Sequence, residues 1–314
     1  MTSCFFNVSS TANLDADYYA YVAALEKKLG RTFAGIRKNG GNDGSEPTKY
    51  GPYVGGEVVN AFTFGRKWLY QNGQPGKGAS TWSAIAAGAD DTAYEQYCTE
   101  ITNAGLWTNQ NPVHLSMWHE QYVTSEGGGP PAGTAADYIA AHRHVWNVIQ
   151  PWHVRNGGCF LFAFVPHWLQ LYHDSTYGIG KPSKAVAPYV VSKLDPGPAY
   201  YDVVGADIYL PASGGSFSAA EQWTPLHRWA TVVGKPFITG ETGIASSKNP
   251  AAYLAALDSL LKGWGAGSGA GQVLALCWTS RVASGGDYRM DSDAATLAAF
   301  TKLANDPFYG AVIA

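Results

Sequence analysis

Charged residues are scarce in this chain of 314 residues. They make up 14% of the sequence, and the net charge at pH 7 is −3, so no basic excess points to nucleic acid or to an anionic membrane surface. No apolar stretch approaches the ~20 residues of a membrane-spanning helix, and the opening MTSCFFNVSS lacks the basic segment and long apolar run of a secretory signal. The sequence predicts a globular protein with neither nucleic acid nor membrane as partner.

Cysteine is also rare, and its spacing excludes some chemistry. None of the four cysteines, Cys4, Cys98, Cys159 and Cys277, forms a CxxC pair, which argues against a zinc or redox motif. Three of them lie in short apolar runs, where a free thiol behaves as a small buried apolar group. No glycine-rich phosphate loop is present either. We therefore expect no metal and no cofactor.

Aromatic residues, by contrast, are abundant. The chain has 11 Trp and 19 Tyr. Such residues dominate the burial of apolar cores, and exposed rings also stack on flat neutral ligands such as sugars. Composition leaves both interpretations open until individual tryptophans are placed.

The chain alternates between short β-rich runs and segments with helical spacing. Helical patterns are predicted from about Asp15 to Gly30, over 92–104, from Thr134 to Trp152, from Asn249 to Gly263 and over 294–304. The predicted strands are Cys4–Val8, Phe33–Arg37, Ala61–Trp68, Pro112–Trp118, Cys159–Val165, one within 201–210, one within 235–241 and Val273–Trp278.

Eight strands that alternate with helices favour a parallel sheet, and eight is the number that closes into a (β/α)8 (TIM) barrel. We therefore predict an α/β fold with a single barrel domain over residues 1–314. An open doubly wound sheet is the alternative. That fold usually carries a glycine-rich turn after its first strand, and VSSTANL is not such a turn.

Polar residues at strand ends are the candidates for chemistry, because barrel active sites lie at the carboxyl ends of the strands. Glu120 follows the fourth predicted strand and Glu241 ends the seventh. Glycoside hydrolysis with retention uses two carboxyl groups about 5–5.5 Å apart, one protonated and one ionised. The two glutamates are therefore predicted to be the catalytic pair of carboxyl groups.

The order of the flanking motifs resembles glycoside hydrolase clan A, and family 26 most of all. The acid/base position carries His119-Glu120, where most clan members have Asn-Glu. The other motifs that carry the resemblance are IAAGADDTAY, FAFVPHW, DPGPAYYDVVGADIYLP, KPFITGETG and the tryptophan that ends the eighth strand.

The resemblance implies a retaining, endo-acting hydrolase of a β-linked polysaccharide, with β-mannan as the family's commonest substrate. It implies that Glu120 is the general acid/base and that Glu241 is the nucleophile. It also implies that Tyr209 hydrogen-bonds the nucleophile and that Trp278 lies under the reacting sugar. His119 would contact the sugar or the carboxylates. Further candidates for sugar contacts are Trp68, Trp118, His167, Trp168 and Arg37. Each also has a purely structural interpretation, as a packed core ring, a satisfied histidine or an ion pair.

Two departures from the family bear on specificity. Ser116 stands where family mannanases usually have arginine, and QYVTSEGGGPP follows Glu120 in place of Met-Asn-Gly. An inactive carbohydrate-binding barrel of the adhesin type and a transglycosylase remain as alternative functions. We expect a monomer whose partner is a polysaccharide or oligosaccharide. The sequence assigns no compartment, and a polysaccharide substrate suggests extracellular or released action.

Overall fold

The computed structural model describes a large part of the chain. It describes residues 5–9, 15–39, 68–72, 81–104, 112–118, 120, 133–155, 157–158, 160–213, 215–283 and 285–310. For 5–9, 15–19, 36–39, 68–72, 93, 96–97, 100–101 and 104 the description is limited to the backbone.

Within these ranges the strands and helices alternate. The strands are β1 (Phe5–Ser9), β2 (Gly35–Asn39), β3 (Trp68–Asn72), β4 (Val113–Ser116), β5 (Phe160–Phe164), β6 (Val203–Leu210), β7 (Phe237–Ile244), β8 (Val273–Thr279), β9 (Val282–Ala283) and β10 (Gly286–Asp287). The α-helices are α1 (Asp15–Leu29), α2 (Trp82–Ala86), α3 (Asp91–Ala104), α4 (Ala135–Arg155), α5 (Trp168–Tyr172), α6 (Val191–Leu194), α7 (Ala219–Val233), α8 (Pro250–Trp264) and α9 (Ala294–Ala304). Short 3₁₀ helices occupy Ser246–Lys248 and Pro307–Tyr309.

The chain forms two compact units, of which the first comprises Met1–Arg37 and Gly205–Ala314. Its strands form a parallel ladder in the order β7-β8-β1-β2. The helices α7, α8, α9 and α1 pack one against the next. Trp223 and Trp229 of α7 are fully buried.

The second unit comprises Lys38–Val204. Its parallel ladder runs β3-β4-β5, and the first two residues of β6 pair with β5. The long helix α4 packs against β5 and against α2, α3 and α6. Tyr138, Val145 and Ile149 form part of its buried face.

Local sequence explains where most elements begin and end. Every residue of β7 and β8 is buried, as expected of parallel strands covered on both faces. Helix α7 begins with a capping box of Ser218 and Glu221 and ends at Gly234 in the left-handed conformation. Asn249 caps α8, and Pro250 occupies its first turn.

The predicted α/β class with parallel strands is confirmed, and some of the predicted elements differ from the observed ones. The observed β3 begins at Trp68, where the predicted third strand ended, and 61–67 lie outside the described residues. Helix α8 continues through Gly263 and ends before Gly265, because a glycine inside a well-packed helix costs only about 1 kcal/mol. Helix α7 was not predicted, although its capping box is legible in the sequence.

Among the residues that the structure describes, no helix combines the length and apolar composition needed to cross a membrane.

Candidate active site

Glu241 occupies a buried position within β7, and two residues of β6 hold it. Only 5% of the residue is exposed. Its backbone N–H donates to Asp207 Oδ1 over 2.6 Å, and the Tyr209 hydroxyl donates to its Oε2. One neighbour therefore fixes the main chain of Glu241 and the other its carboxylate.

The ring of Tyr209 is fixed from three sides. A Cβ atom on Gly243 would lie 2.8 Å from Tyr209 Cε1 and 2.9 Å from Tyr288 Cδ1, so glycine is required for the rings to approach this closely. Tyr288 meets Tyr209 nearly edge to face, with ring centroids 5.2 Å apart. Thr279 Oγ1 lies 2.7 Å from the Tyr209 hydroxyl oxygen.

The backbone of Tyr209 is anchored by a buried polar chain. Gln222 Nε2 donates to the Tyr209 carbonyl over 2.9 Å, and Gln222 Oε1 accepts from the Tyr253 hydroxyl. Trp223 Nε1 donates in turn to that hydroxyl over 3.0 Å. Burial raises the pKa of the Tyr253 phenol, so this group stays a neutral donor.

Thr279 is the residue of β8 that reaches Tyr209, and sequence reasoning missed it. The predicted residue, Trp278, has no exposed surface and meets Phe300 of α9 edge to face at 5.0 Å. Successive side chains on a strand point to opposite faces, so Trp278 packs towards the helix while Thr279 points towards the carboxylate. The structure thus gives Trp278 a packing position rather than that of an open platform. A polar residue directly after the tryptophan was the available signal.

Glu120 follows β4 in an unusual backbone conformation. Its φ is +49°, in the left-handed region that non-glycine residues seldom occupy, and its N–H donates to the Val165 carbonyl over 3.0 Å. Such a conformation costs of order 1–3 kcal/mol and is characteristic of functional sites. Ser116, whose hydroxyl donates to the Trp118 carbonyl over 3.3 Å, stabilises the turn that leads to it.

The structure places His167 beside Glu120. Its Nε2 lies 3.8 Å from Glu120 Oε1, and the two side chains are 15% and 13% exposed. His167 also precedes α5 as its N-cap residue.

The aromatic candidates near Glu120 differ in exposure. Trp118 is partly exposed and meets Trp82 edge to face at 5.8 Å. Trp168 is 4% exposed and packs against Tyr172, so it belongs to the packing around α5 rather than to an open sugar platform. His119 lies outside the described residues, and so do the side chains of Trp68 and Arg37.

Within the part of the chain that the structure describes, no group of three or more His, Cys, Asp or Glu side chains is placed to hold a metal ion. The chemistry that these side chains offer is that of carboxyl groups, a phenol, a hydroxyl and an imidazole. Glu241, Tyr209 and Thr279 belong to the first unit, and Glu120 and His167 to the second.

Comparison with solved structures shows which proteins share this fold. The catalytic domain of a GH26 endo-β-1,4-mannanase from Bacillus sp. JAMB-750 is 16% identical, with a TM-score of 0.61 over 98% of this chain and 86% of that one. A GH26 β-mannanase from Bacteroides ovatus is 14% identical, with a TM-score of 0.56 over 98% and 90%. A structure of fungal β-1,4-galactanases is 13% identical, with a TM-score of 0.58 over 95% and 99%.

No protein-family model and no curated protein sequence matches the chain. The similarity is therefore one of fold, and at that level the predicted resemblance to family 26 and clan A is confirmed.

Proposed function

We propose that this protein is a retaining, endo-acting glycoside hydrolase that cleaves a β-linked polysaccharide. The observation that carries the proposal is the fixed position of Glu241, a buried carboxylate within β7. Its Oε2 accepts from the Tyr209 hydroxyl, and its N–H donates to Asp207. A nucleophile in double displacement must be ionised and fixed in direction. A phenol that donates to one oxygen serves both needs.

The proposal includes the architecture that brings the two glutamates together. A single (β/α)8 barrel over residues 1–314 would place the carboxyl ends of β4 and β7 at one rim. The eight parallel strands and their alternation with helices support this architecture, and so does the fold shared with the GH26 mannanases. A retaining mechanism requires the two carboxyl groups to be about 5–5.5 Å apart.

The proposed reaction proceeds in two displacements. Glu241 attacks the anomeric carbon as the glycosidic C–O bond breaks, and Glu120 transfers its proton to the leaving oxygen. Glu120, now ionised, then removes a proton from water, and that water displaces Glu241 from the sugar. The left-handed backbone at Glu120 supports its assignment, because strain of this kind persists where function requires it.

The proposed substrate class is a β-1,4-linked glycan, and β-mannan is its first candidate. The three solved structures compared above are named as mannanases and galactanases, and the chain keeps the His-Glu pair at the acid/base. Proposed sugar contacts are His119, Trp118, Trp68 and Arg37. Ser116 stands where an arginine is usual and is buried, so we place specificity differences around it.

A polysaccharide panel tests the proposal. Mannans, galactans, β-glucans, xylans and bacterial cell-wall glycans are incubated with the wild type, and new reducing ends are measured. On the responsive glycan, Glu241→Gln should lower kcat on the order of 10³-fold or more, and Glu120→Gln at least about 100-fold. Glu95 is an exposed glutamate on α3, and Glu95→Gln is the matched control. Its kcat should equal that of the wild type.

Product analysis separates the mechanisms. NMR of the first product should show the β-anomer before mutarotation, and an initial α-anomer would mean inversion. Binding without any new reducing end would identify a carbohydrate-binding barrel. Products longer than the substrate would identify a transglycosylase. Wild-type activity in both glutamate variants would refute the site assignment.

A further inference from the structure

His167 lies in the turn between β5 and α5, and one of its ring nitrogens is already engaged. The N–H of Leu169 donates to His167 Nδ1 over 3.2 Å, as at a helix N-cap. The backbone N–H of His167 donates to Gln170 Oε1 over 2.8 Å. The imidazole and its own main chain are therefore both tied to the first turn of α5.

The turn is anchored from a second direction. Gln170 has no exposed surface, and its Nε2 donates to the Tyr189 carbonyl over 2.6 Å. Tyr189 immediately precedes the residue that caps α6, so the segment before α6 holds the glutamine amide. Through this contact the position of the His167 ring is set by two separate parts of the chain.

Glu120 is attached to the same strand end. Its backbone N–H donates to the Val165 carbonyl, two residues before His167. The other ring nitrogen, Nε2, lies 3.8 Å from Glu120 Oε1. This distance is longer than a direct hydrogen bond, and contacts to catalytic carboxyls commonly tighten when substrate binds.

The cap determines which nitrogen carries the proton. A neutral imidazole has one donor and one acceptor nitrogen. Because Nδ1 accepts from Leu169, the proton must be on Nε2, where it points at Glu120. A second proton on Nδ1 would face the Leu169 N–H, so the cap also opposes formation of the imidazolium.

We propose that His167 is the positioning residue of the acid/base: it presents a neutral Nε2–H donor to Glu120 Oε1 and leaves the other carboxyl oxygen to carry the proton for the leaving group. The inference rests on the proposed function. An imidazolium so close would strongly stabilise the carboxylate and weaken Glu120 as an acid, whereas a neutral donor orients Glu120 and favours the carboxylate much less.

Variants separate positioning from folding. Asparagine is a good N-cap, and its side chain is shorter than that of histidine, so His167→Asn keeps the cap and withdraws the donor. His167→Ala removes both. In urea unfolding, His167→Asn should remain close to the wild type, and His167→Ala should lose about 1 kcal/mol of unfolding free energy.

Leaving groups report on the acid. Phenyl β-mannobioside needs a proton on its leaving oxygen, and 2,4-dinitrophenyl β-mannobioside does not. His167→Asn should lower the glycosylation rate of the phenyl compound about tenfold and that of the dinitrophenyl compound less than about twofold. Equal losses on both compounds, or no loss on either, would overturn the inference.

Nitrogen NMR tests the tautomer without any substrate. In the wild type labelled with ¹⁵N-histidine, His167, assigned by its absence in His167→Asn, should show a protonated Nε2 and an unprotonated Nδ1 at pH 6–7. Glu120→Gln should shift the Nε2 resonance and leave Nδ1 an acceptor. A protonated Nδ1 would overturn the inference and leave the proposed hydrolase intact. Full hydrolytic activity of Glu120→Gln would refute the acid/base role of Glu120, and a wild type that releases no new reducing ends from any glycan of the panel would refute the hydrolase itself.

Discussion

Thr279 contributes a single hydroxyl to the surroundings of Glu241. An ionised carboxylate only accepts hydrogen bonds, so the Tyr209 hydroxyl donates to Glu241 and its oxygen accepts from Thr279. Hydrogen bonds in such a chain strengthen one another, because an oxygen that accepts one bond becomes a better donor in the next.

Thr279→Val should therefore weaken catalysis without disturbing the fold. Valine keeps the shape of threonine and removes the donor, and a hydrogen bond of about 1 kcal/mol corresponds to a loss of roughly fivefold in kcat/KM. Thr279→Ser keeps the hydroxyl and is the matched control. The measurement is kcat/KM on the responsive glycan, and equal activity of the valine and serine variants would contradict this role.

The left-handed backbone at Glu120 makes a second prediction at the residue scale. Glu120→Ala and Glu120→Gly both remove the carboxyl group, but only glycine adopts φ +49° without steric cost. We expect the glycine variant to have an unfolding free energy about 1 kcal/mol higher than the alanine variant. In the interior of α3, the Glu95→Ala and Glu95→Gly pair should show the opposite order, since alanine favours helix. A higher unfolding free energy for the alanine variant than for the glycine variant at both positions would mean that the backbone of residue 120 is not strained.

At the scale of elements, α4 and β5 enclose a buried histidine. The ring of His142 meets those of Phe162 and Phe164 at 4.7 Å and 5.6 Å, and its Nε2 lies 3.1 Å from the Tyr200 carbonyl oxygen. Burial lowers the pKa of this imidazole to about 3. His114 of β4 is likewise buried, and the pKa of its imidazole is also lowered to about 3.

These lowered pKa values make the fold sensitive to acid. Between about pH 6.5, where a free histidine titrates, and about pH 3, the unfolded chain binds protons that the folded chain excludes. The unfolding free energy should therefore fall as pH decreases, by up to about 1.4 kcal/mol per pH unit for each histidine.

His142→Gln should remove the contribution of one histidine to that slope, up to about 1.4 kcal/mol per pH unit. Glutamine donates to the Tyr200 carbonyl without titrating. Urea unfolding at several pH values from 4.5 to 7 measures it. Ile149→Val on the buried face of the same helix lowers stability without removing a titratable group, so its slope should equal that of the wild type. An unchanged slope in His142→Gln would contradict the assignment.

At the scale of the whole molecule, the two compact units share strand β6. Its first two residues belong to one unit and Gly205–Leu210 to the other. A single barrel domain, as proposed above, should unfold cooperatively.

Calorimetry tests the single domain. We expect one thermal transition, with far-UV circular dichroism and tryptophan fluorescence changing at the same temperature. Trp223→Phe replaces a buried indole of the first unit with a smaller ring and removes its hydrogen bond to Tyr253. It should lower the temperature of that one transition as a whole. Two resolved transitions, with only one of them displaced by the substitution, would show that the units are separate domains.

The sequence alone predicted much of this fold, because the patterns involved are local. Apolar runs such as FLFAF and VLALCW predict strands buried on both faces, and α9 has the predicted bounds, 294–304. Glu120 and Glu241 were singled out because they follow such runs. Family resemblance drew attention to Tyr209, which the structure places on Glu241.

What only the tertiary structure decided is which face each side chain takes and which partner it meets. The sequence does not reveal that Trp278 packs on Phe300 while Thr279 reaches Tyr209, because an all-apolar strand gives no alternation from which to assign its faces. The positive φ of Glu120 accompanies a hydrogen bond from its N–H to the Val165 carbonyl, and the Gln170 amide that holds the His167 turn donates to the Tyr189 carbonyl. Local sequence thus determined the elements and the chemical groups, and packing between distant segments determined their orientation and their neighbours.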